Sequence, residues 1–332
     1  MTRKALTAVA ALCVAALATG CASKTDTAGS AGGKDKSGSG GQFVIGYSQS
    51  NNAEPYRQQL NKQLQYYVKQ HKNLKLLPIT DAKQDNATQV SQVQSFIQQK
   101  VDLLIVSPNE PAPLTPPVEQ ACKAGIPVII LDRSVNTDCY TAFIGGDNYQ
   151  IGKKAGEAAV KALPNGGDVA ELRGVLSAQP QIDRDKGFRD AITGHGIKIV
   201  ESREAKWTRP NAIQIMNQWL ARGTKIDLVY AHNDDMAIGA YGAAAGAGKA
   251  SSMKFIGIDG LAIPDGGIRA VQQGHLLTTF VYPTGAKEAA DAAYALSQHQ
   301  KVAKKQTLGT VEITQANAAK VYEEFDMSSK TG

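Results

Sequence analysis

The feature that most constrains this chain is a rhythm. From residue 43 onward, short continuous apolar runs alternate with helix-length amphipathic stretches. Runs at 43–47, 74–79, 103–106, 128–131 and 142–144 form a first series, and runs at 169–172, 197–200, 228–230, 255–258 and 276–281 a second. Uninterrupted apolar runs of this length suit strands covered on both faces, as those of parallel sheets are. Residues 56–70, 90–99, 151–163, 213–221 and 286–296 carry the helical patterns between them. Strands alternating with helices imply βαβ units and open parallel sheets. Roughly ten units exceed one doubly wound sheet, so the expected fold is α/β with two similar lobes.

Composition supports a folded, two-lobed body. At 332 residues, 42% hydrophobic and 20% charged, the chain can bury two cores and does not have the make-up of a disordered one. Its 36 basic residues are scattered and the formal charge is only +6, which argues against a nucleic-acid partner. No run reaches the ~18 apolar residues of a membrane span.

The first residues read as an address. Arg3 and Lys4 precede a short Ala/Leu/Val-rich stretch that ends at Thr19-Gly20-Cys21. A basic start, a short apolar region and a small residue before the cut make a secretory signal, here 1–20. Leu17-Ala18-Thr19-Gly20-Cys21 resembles the lipobox of bacterial lipoproteins, which implies that Cys21 is lipidated and becomes the mature N-terminus. Two or three acyl chains would give stable anchoring at the outer face of the cytoplasmic membrane, and so an extracytoplasmic body. Residues 22–41, rich in Gly, Ser, Ala, Thr, Lys and Asp, hold too little apolar surface to fold and read as a tether.

With Cys13 in the signal and Cys21 at the anchor, Cys122 and Cys139 remain. An even pair in an exported chain suggests a disulfide, and both positions fall at one edge of the expected sheet. Two buried free thiols are the alternative.

The main strands end in polar signatures. The first leads into Ser48-Gln49-Ser50-Asn51-Asn52 and then Tyr56-Arg57; the run at 128–131 ends in Asp132-Arg133. The loop after residue 172 reaches Asp183-Arg184, the run at 228–230 meets His232-Asn233-Asp234-Asp235, and that at 255–258 meets Asp259-Gly260. In open α/β sheets ligands bind beyond the carboxyl ends of strands, so these signatures converge where two lobes would face each other. Carboxylates accept hydrogen bonds, guanidinium groups donate them and Asn does both, a set that matches vicinal hydroxyls. Tyr56, Trp207 and Phe280 could cover the C–H face of a sugar. Asp132, Asp234 and Asp259 would repel phosphate, so a neutral polyol fits better than an anion. Asp and Asn here also suit helix caps, and Asn233, Asp234 and Asp259 could serve both ways.

Enzyme signatures are missing from the sequence. No Gly-x-Gly-x-x-Gly follows the first strand, and neither a P-loop nor a Gly-x-Ser-x-Gly elbow occurs. The Gly-rich stretch at 242–248 reads as a helix terminus. The five histidines do not show metal spacing, and His232 reads as a helix start. No catalytic residue, metal or cofactor is expected.

Val128-Ile129-Ile130-Leu131-Asp132-Arg133, Ile182-Asp183-Arg184-Asp185-Lys186-Gly187-Phe188, the stretch 230–239 and Ile258-Asp259-Gly260 together resemble the ribose-binding-like sugar-binding proteins of bacterial ABC importers. These are periplasmic binding proteins of type I, and the likeness is greatest to galactofuranose-binding members, from about residue 43 to the C-terminus. The resemblance implies two Rossmann-like lobes with parallel sheets, three crossover strands and a hinged cleft. It places the N-terminal lobe at 42–147 plus 283–306 and the C-terminal lobe at 148–282 plus 307–332. Carried over by motif, Asp132 and Arg133 bind hydroxyls from the first lobe beside Arg57 and Tyr56. Arg184, Asn233 and Asp259 do so from the second, with Asp234 as a further contact and Trp207 where relatives carry an aromatic near the sugar.

Two departures touch the pocket walls. The loop Ala53-Glu54-Pro55-Tyr56-Arg57 stands where relatives have a small residue and Trp before Arg, and Phe280-Val281-Tyr282-Pro283 stands where they place a polar residue. The expected ligand is a monosaccharide, pentose or hexose, with a furanose slightly favoured and its epimer open. The implied partner is an ABC permease, served by a monomer that meets the membrane only through its lipid. A chemoreceptor or sensor kinase as listener is the alternative, and an α/β enzyme acting on a sugar a remote one. A repressor of the same two-lobe fold would need an N-terminal helix-turn-helix where this chain has a signal and tether.

Overall fold

The computed structural model describes residues 41–331. The signal, Cys13, Cys21 and the tether up to residue 40 lie outside the described residues.

The first lobe follows the rhythm of the sequence: β1 (Phe43–Gln49), α1 (Pro55–Lys69), β2 (Leu74–Leu76), β3 (Thr80–Asp81), α2 (Asn86–Gln98), β4 (Leu103–Ser107), α3 (Pro111–Lys123), β5 (Val128–Leu131) and β6 (Ala142–Gly146). The second continues with α4 (Asn148–Ala162), β7 (Gly167–Arg173), α5 (Gln179–Ile192), β8 (Ile197–Glu204), α6 (Arg209–Ala221), β9 (Leu228–Ala231), α7 (Asp234–Gly246), β10 (Lys254–Ile256), α8 (Gly267–Gln272) and β11 (Thr279–Phe280). The chain then returns to the first lobe for α9 (Ala286–Ser297) and β12 (Lys305–Leu308), and crosses again to β13 (Glu312–Ile313) and α10 (Ala318–Phe325). A last short helix, α11 (Ser328–Thr331), packs back on α1.

The first sheet is parallel with order β12-β6-β5-β4-β1-β2, and β3 also pairs with β1. The second is parallel with order β10-β9-β7-β8, while β11 pairs antiparallel with β13 beside it. β4, β5 and β9 are buried at every position, as central strands covered on both faces must be. β8, at the sheet edge, alternates half-buried and exposed residues through most of its length. The Gly-rich stretch at 242–248 forms the end of α7, as its position after a helix implied.

β12 stays beside β6 through Thr307↔Gly145 and Leu308↔Gly146. Residues 307–308 therefore belong to the first sheet, not to the second lobe as expected, because the ladder continues two residues further. The contact of α11 with α1, where Tyr67 Oη reaches Met327 Sδ at 3.8 Å, likewise returns the last residues to the first lobe. The run at 276–281 forms a ladder only at Thr279–Phe280, with isolated bridges at Thr278 and Asp259–Val281.

Cys122, in the last turn of α3, is bonded to Cys139 in the loop before β6, with their Cα atoms 6.2 Å apart. Closing a loop of this length stabilises by about 3 kcal/mol in the chain-entropy picture.

Candidate functional site

The polar strand ends meet in one cavity, lined by Glu54, Tyr56, Arg57, Asp132, Arg133, Pro180, Arg184, Trp207, Asn233, Asp259 and Tyr282. α1 begins at Pro55 and brings Tyr56 and Arg57; Asp132 and Arg133 follow β5; Pro180 and Arg184 stand in the first turns of α5. Trp207 precedes α6, Asn233 caps α7, and Tyr282 lies on the crossing after β11.

Several of these side chains issue from unusual backbone. Asp132 has φ 70°, Trp207 φ 70° and Asp259 φ 142°, values that a non-glycine residue holds only where its surroundings over-determine it. The determination is visible. Asp132 N donates to Ile144 O at 2.8 Å and Arg133 N to Leu131 O at 2.9 Å; Asp259 N donates to Phe280 O at 3.0 Å and its carbonyl accepts from Tyr282 N at 2.9 Å.

On the first lobe, Arg57 Nη2 donates to Asp132 Oδ2 at 2.5 Å, and its Nη1 donates to Ser107 Oγ at 2.8 Å. Tyr282 Oη donates to Asp132 Oδ1 at 2.7 Å. Burial alone would raise the Asp132 pKa, but Arg57 and Arg133, with the Tyr282 hydroxyl, carry it below the ordinary carboxylate range. Arg133 donates to Asn109 O at 3.0 Å; burial and the neighbouring Arg57 bring its pKa down to about 10, still cationic at neutral pH.

Arg184 dominates the second lobe. Its Nε donates to Asn148 Oδ1 at 2.8 Å and its Nη1 to His232 O at 2.5 Å. α5 can carry it so close to the first crossing because Gly152 and Gly187 let α4 and α5 touch: a Cβ on either would lie 2.2 Å from a carbonyl oxygen of the facing helix. The His232 side chain is buried with Nε2 at 3.0 Å from Glu171 Oε1, so it serves this network and not a metal. Among the described residues no group of three or more His, Cys, Asp or Glu is placed to hold a metal ion.

The indole of Trp207 stands between guanidinium groups of both lobes, 5.5 Å from Arg133 and 5.7 Å from Arg184, and its Nε1 is buried without a hydrogen-bond partner. It fits only because residue 174 lacks a side chain: a Cβ there would lie 2.1 Å from the indole Cζ2. Asp259 is the other open valence. Burial, then the nearby Asp234, push its pKa well above the ordinary value, and no side-chain hydrogen bond from a described residue offsets this.

Of the residues expected at the site, Tyr56, Arg57, Asp132, Arg133, Arg184, Trp207, Asn233 and Asp259 line the cavity. Asn233 also caps α7 by accepting from Met236 N at 3.0 Å. Ser48, Asn52, Asp234 and Phe280 do not line it. Ser48 is buried within the first lobe and donates to Gln92 Oε1 at 3.3 Å. Asn52 is exposed and accepts from Asn61 at 3.1 Å. Asp234 is turned away to accept from Gly260 N at 2.8 Å and Thr279 Oγ1 at 2.6 Å, which pins the loop carrying Asp259. Phe280 is fully buried in the apolar core, and Tyr282, two residues on, supplies the aromatic wall. Glu54, Pro180 and Tyr282 escaped the sequence reading, although Glu54 and Tyr282 lie in the two loops noted as departures.

The lobes are in contact around this cavity. Ser177 Oγ donates to Glu110 Oε2 at 2.5 Å, and Gln84 reaches Lys206 O at 3.5 Å. The lining side chains of Arg57, Asp132, Arg133 and Arg184 are buried as a result.

Two α/β lobes, three crossings and a closed polar cavity between them define a binding protein of the two-lobed, hinged class. The chain belongs to the periplasmic binding protein domain family, whose profile matches residues 45–318. It is 33% identical over 224 residues to the ribose import binding protein of Bacillus subtilis (strain 168), covering 68% of this chain and 72% of that one. Among solved structures, the fructose-binding periplasmic domain of a hybrid two-component system superposes with TM-score 0.82 at 36% identity, covering 87% of this chain and 96% of that one. A galactofuranose-binding protein superposes with TM-score 0.81 at 27% identity, covering 87% of this chain and all of that one. These relatives are binding proteins, not enzymes, and the family is extracytoplasmic. Among the described residues no helix is long and apolar enough to cross a membrane.

Proposed function

We propose that this protein captures one neutral monosaccharide in the closed cavity and presents the closed form to an ABC permease. The observation that carries the reading is the lining itself. Three guanidinium groups, three carboxyl groups and Asn233 line one cavity whose walls include Trp207, Tyr56 and Tyr282. Such a set donates to and accepts from vicinal hydroxyls while aromatic faces cover the C–H surface. Arg57, Asp132 and Arg133 bind from the first lobe; Arg184, Trp207, Asn233 and Asp259 bind from the second. A ligand that bridges both sets favours closure through its better affinity for the closed state. The names of the relatives, ribose, fructose and galactofuranose binders, support a pentose or hexose, with a furanose form favoured.

Cys21 carries the lipid in this reading, and the body acts as a monomer tethered outside the cytoplasmic membrane. A Cys21→Ser variant should leave the membrane fraction. A second reading keeps the sugar and changes the listener to a sensor; the likeness to a domain of a two-component system favours it.

Thermal unfolding against a panel of pentoses, hexoses and polyols tests the sugar assignment. One or a few neutral sugars should raise the Tm, because a ligand bound only to the folded state stabilises it. Silence across the panel would refute it.

A further inference from the structure

We propose that Glu54 is the charge filter of this pocket, admitting neutral sugars and excluding anionic ones; the inference rests on the sugar-binding reading above. Without Glu54 the first-lobe wall would be an anion site. The N-terminus of the 15-residue helix α1 opens onto the cavity at Tyr56 and Arg57, and Arg133 stands beside it. Helix N-termini and paired arginines together favour carboxylate and phosphate.

Glu54 fills that place. It is the N-cap residue of α1, yet its side chain makes no capping bond and lines the cavity instead. Asn51 Nδ2 holds Oε1 at 2.9 Å. The carboxylate lies 3.6 Å from Arg57 Nε and 4.0 Å from Arg133 Nη2, close enough to act on both charges but outside hydrogen-bond reach. Arg57 Nε accordingly has no hydrogen-bond partner. Glu54 thus neutralises the two arginines through space and keeps acceptor capacity for a ligand hydroxyl.

The cavity wall then carries Arg57, Arg133 and Arg184 against Glu54 and Asp132, with Asp259 joining them once ionised. A sugar acid or sugar phosphate enclosed here would set a second negative charge against Glu54, which already lies beside Arg57 and Arg133, a costly arrangement in a buried site. Glu54→Gln keeps the shape and removes one negative charge, which frees Arg57 and Arg133 for an anion.

The test compares D-glucose with D-glucuronate, D-galactose with D-galacturonate, D-ribose with D-ribose 5-phosphate and D-fructose with D-fructose 6-phosphate. Affinities come from calorimetry, with weak acids measured as competitors of the bound neutral sugar. Wild type should bind the neutral member of at least one pair and reject its acid. In Glu54→Gln the acid-to-neutral affinity ratio should rise about tenfold. Glu54→Asp, which keeps the charge, should hold the wild-type ratio. A rise of about threefold or more upholds the assignment, and a smaller rise, none or a fall overturns it. The ratio also separates a filter from a merely structural role, since a loosened pocket weakens both members alike. If wild type binds no neutral sugar, the sugar reading itself fails and the inference falls with it. Wild-type binding of an acid in preference to its neutral partner overturns the filter alone.

Discussion

Tyr282 donates its phenol to Asp132 Oδ1 over 2.7 Å, joining a residue on the second crossing to one at the end of a first-lobe strand. The other Asp132 oxygen is taken by Arg57. In the proposed reading, the carboxylate that holds the sugar is therefore fixed on both oxygens by the protein itself. Tyr282→Phe removes one of these bonds and leaves a buried carboxylate oxygen short of a donor, at a cost of about 1–3 kcal/mol. Sugar affinity measured by calorimetry should fall about tenfold, with the fold intact by circular dichroism. Unchanged affinity would show that Tyr282 does not hold the site in register.

Gly174 leaves room for Trp207. Gly174→Ala places a methyl 2.1 Å from the indole, so the ring must leave its position between Arg133 and Arg184. Binding should drop by about tenfold or more, since an aromatic wall at a buried site contributes on the order of 1–2 kcal/mol. Ligand-induced fluorescence change should shrink with it. If Gly174→Ala binds as wild type does, Trp207 is not a wall of the site.

Protons should couple to binding through Asp259. Burial and Asp234 raise its pKa. Sugar hydroxyls donating to it favour the ionised form, so its pKa falls in the complex and a proton is released. Affinity should therefore increase with pH through the acid range and level off once the empty site is ionised too. Calorimetry in buffers of different ionisation enthalpy reads the released proton, and Asp259→Asn should abolish it. Stability of the empty protein moves the other way. Asp234, raised by burial to about 6 from 3.8, binds its proton more tightly when folded, so its contribution falls as pH rises through that window. Binding that stays proton-neutral as pH rises from the ordinary carboxylate range upward would contradict this account of Asp259.

The Cys122–Cys139 bridge lies outside the cavity wall. Cys122→Ser with Cys139→Ser should lower stability by about 3 kcal/mol and leave the sugar Kd within about twofold. A large change in Kd would show that the loop at 132–139 reaches the ligand through its backbone.

The parts legible in the sequence were those written in apolar runs. β5 is four apolar residues followed at once by Asp132 and Arg133, so both the strand and its functional end were plain. Asp234 was not, because sequence alone does not say which way the first residue of a helix points; here it turns to Gly260 and Thr279. The exchange of Phe280 for Tyr282 has a related cause. β11 is only two residues long, and the chain leaves the sheet before a strand alternation could fix which side chain faces the cleft. Glu54 was quoted as a departure but not placed, since its value depends on Asn51, Arg57 and Arg133 arriving from separate parts of the fold.

The unusual backbone at Asp132, Trp207 and Asp259 also divides the pocket by how freely it can change. Those three positions combine a cavity-lining side chain with a main-chain conformation that few residues tolerate, so a substitution there disturbs two things at once. Tyr56 and Pro180 line the same space from ordinary negative-φ backbone. New sugar preferences can thus be acquired at these two positions, and a library aimed at retargeting the protein should randomise Tyr56 and Pro180 and leave Asp132, Trp207 and Asp259 alone.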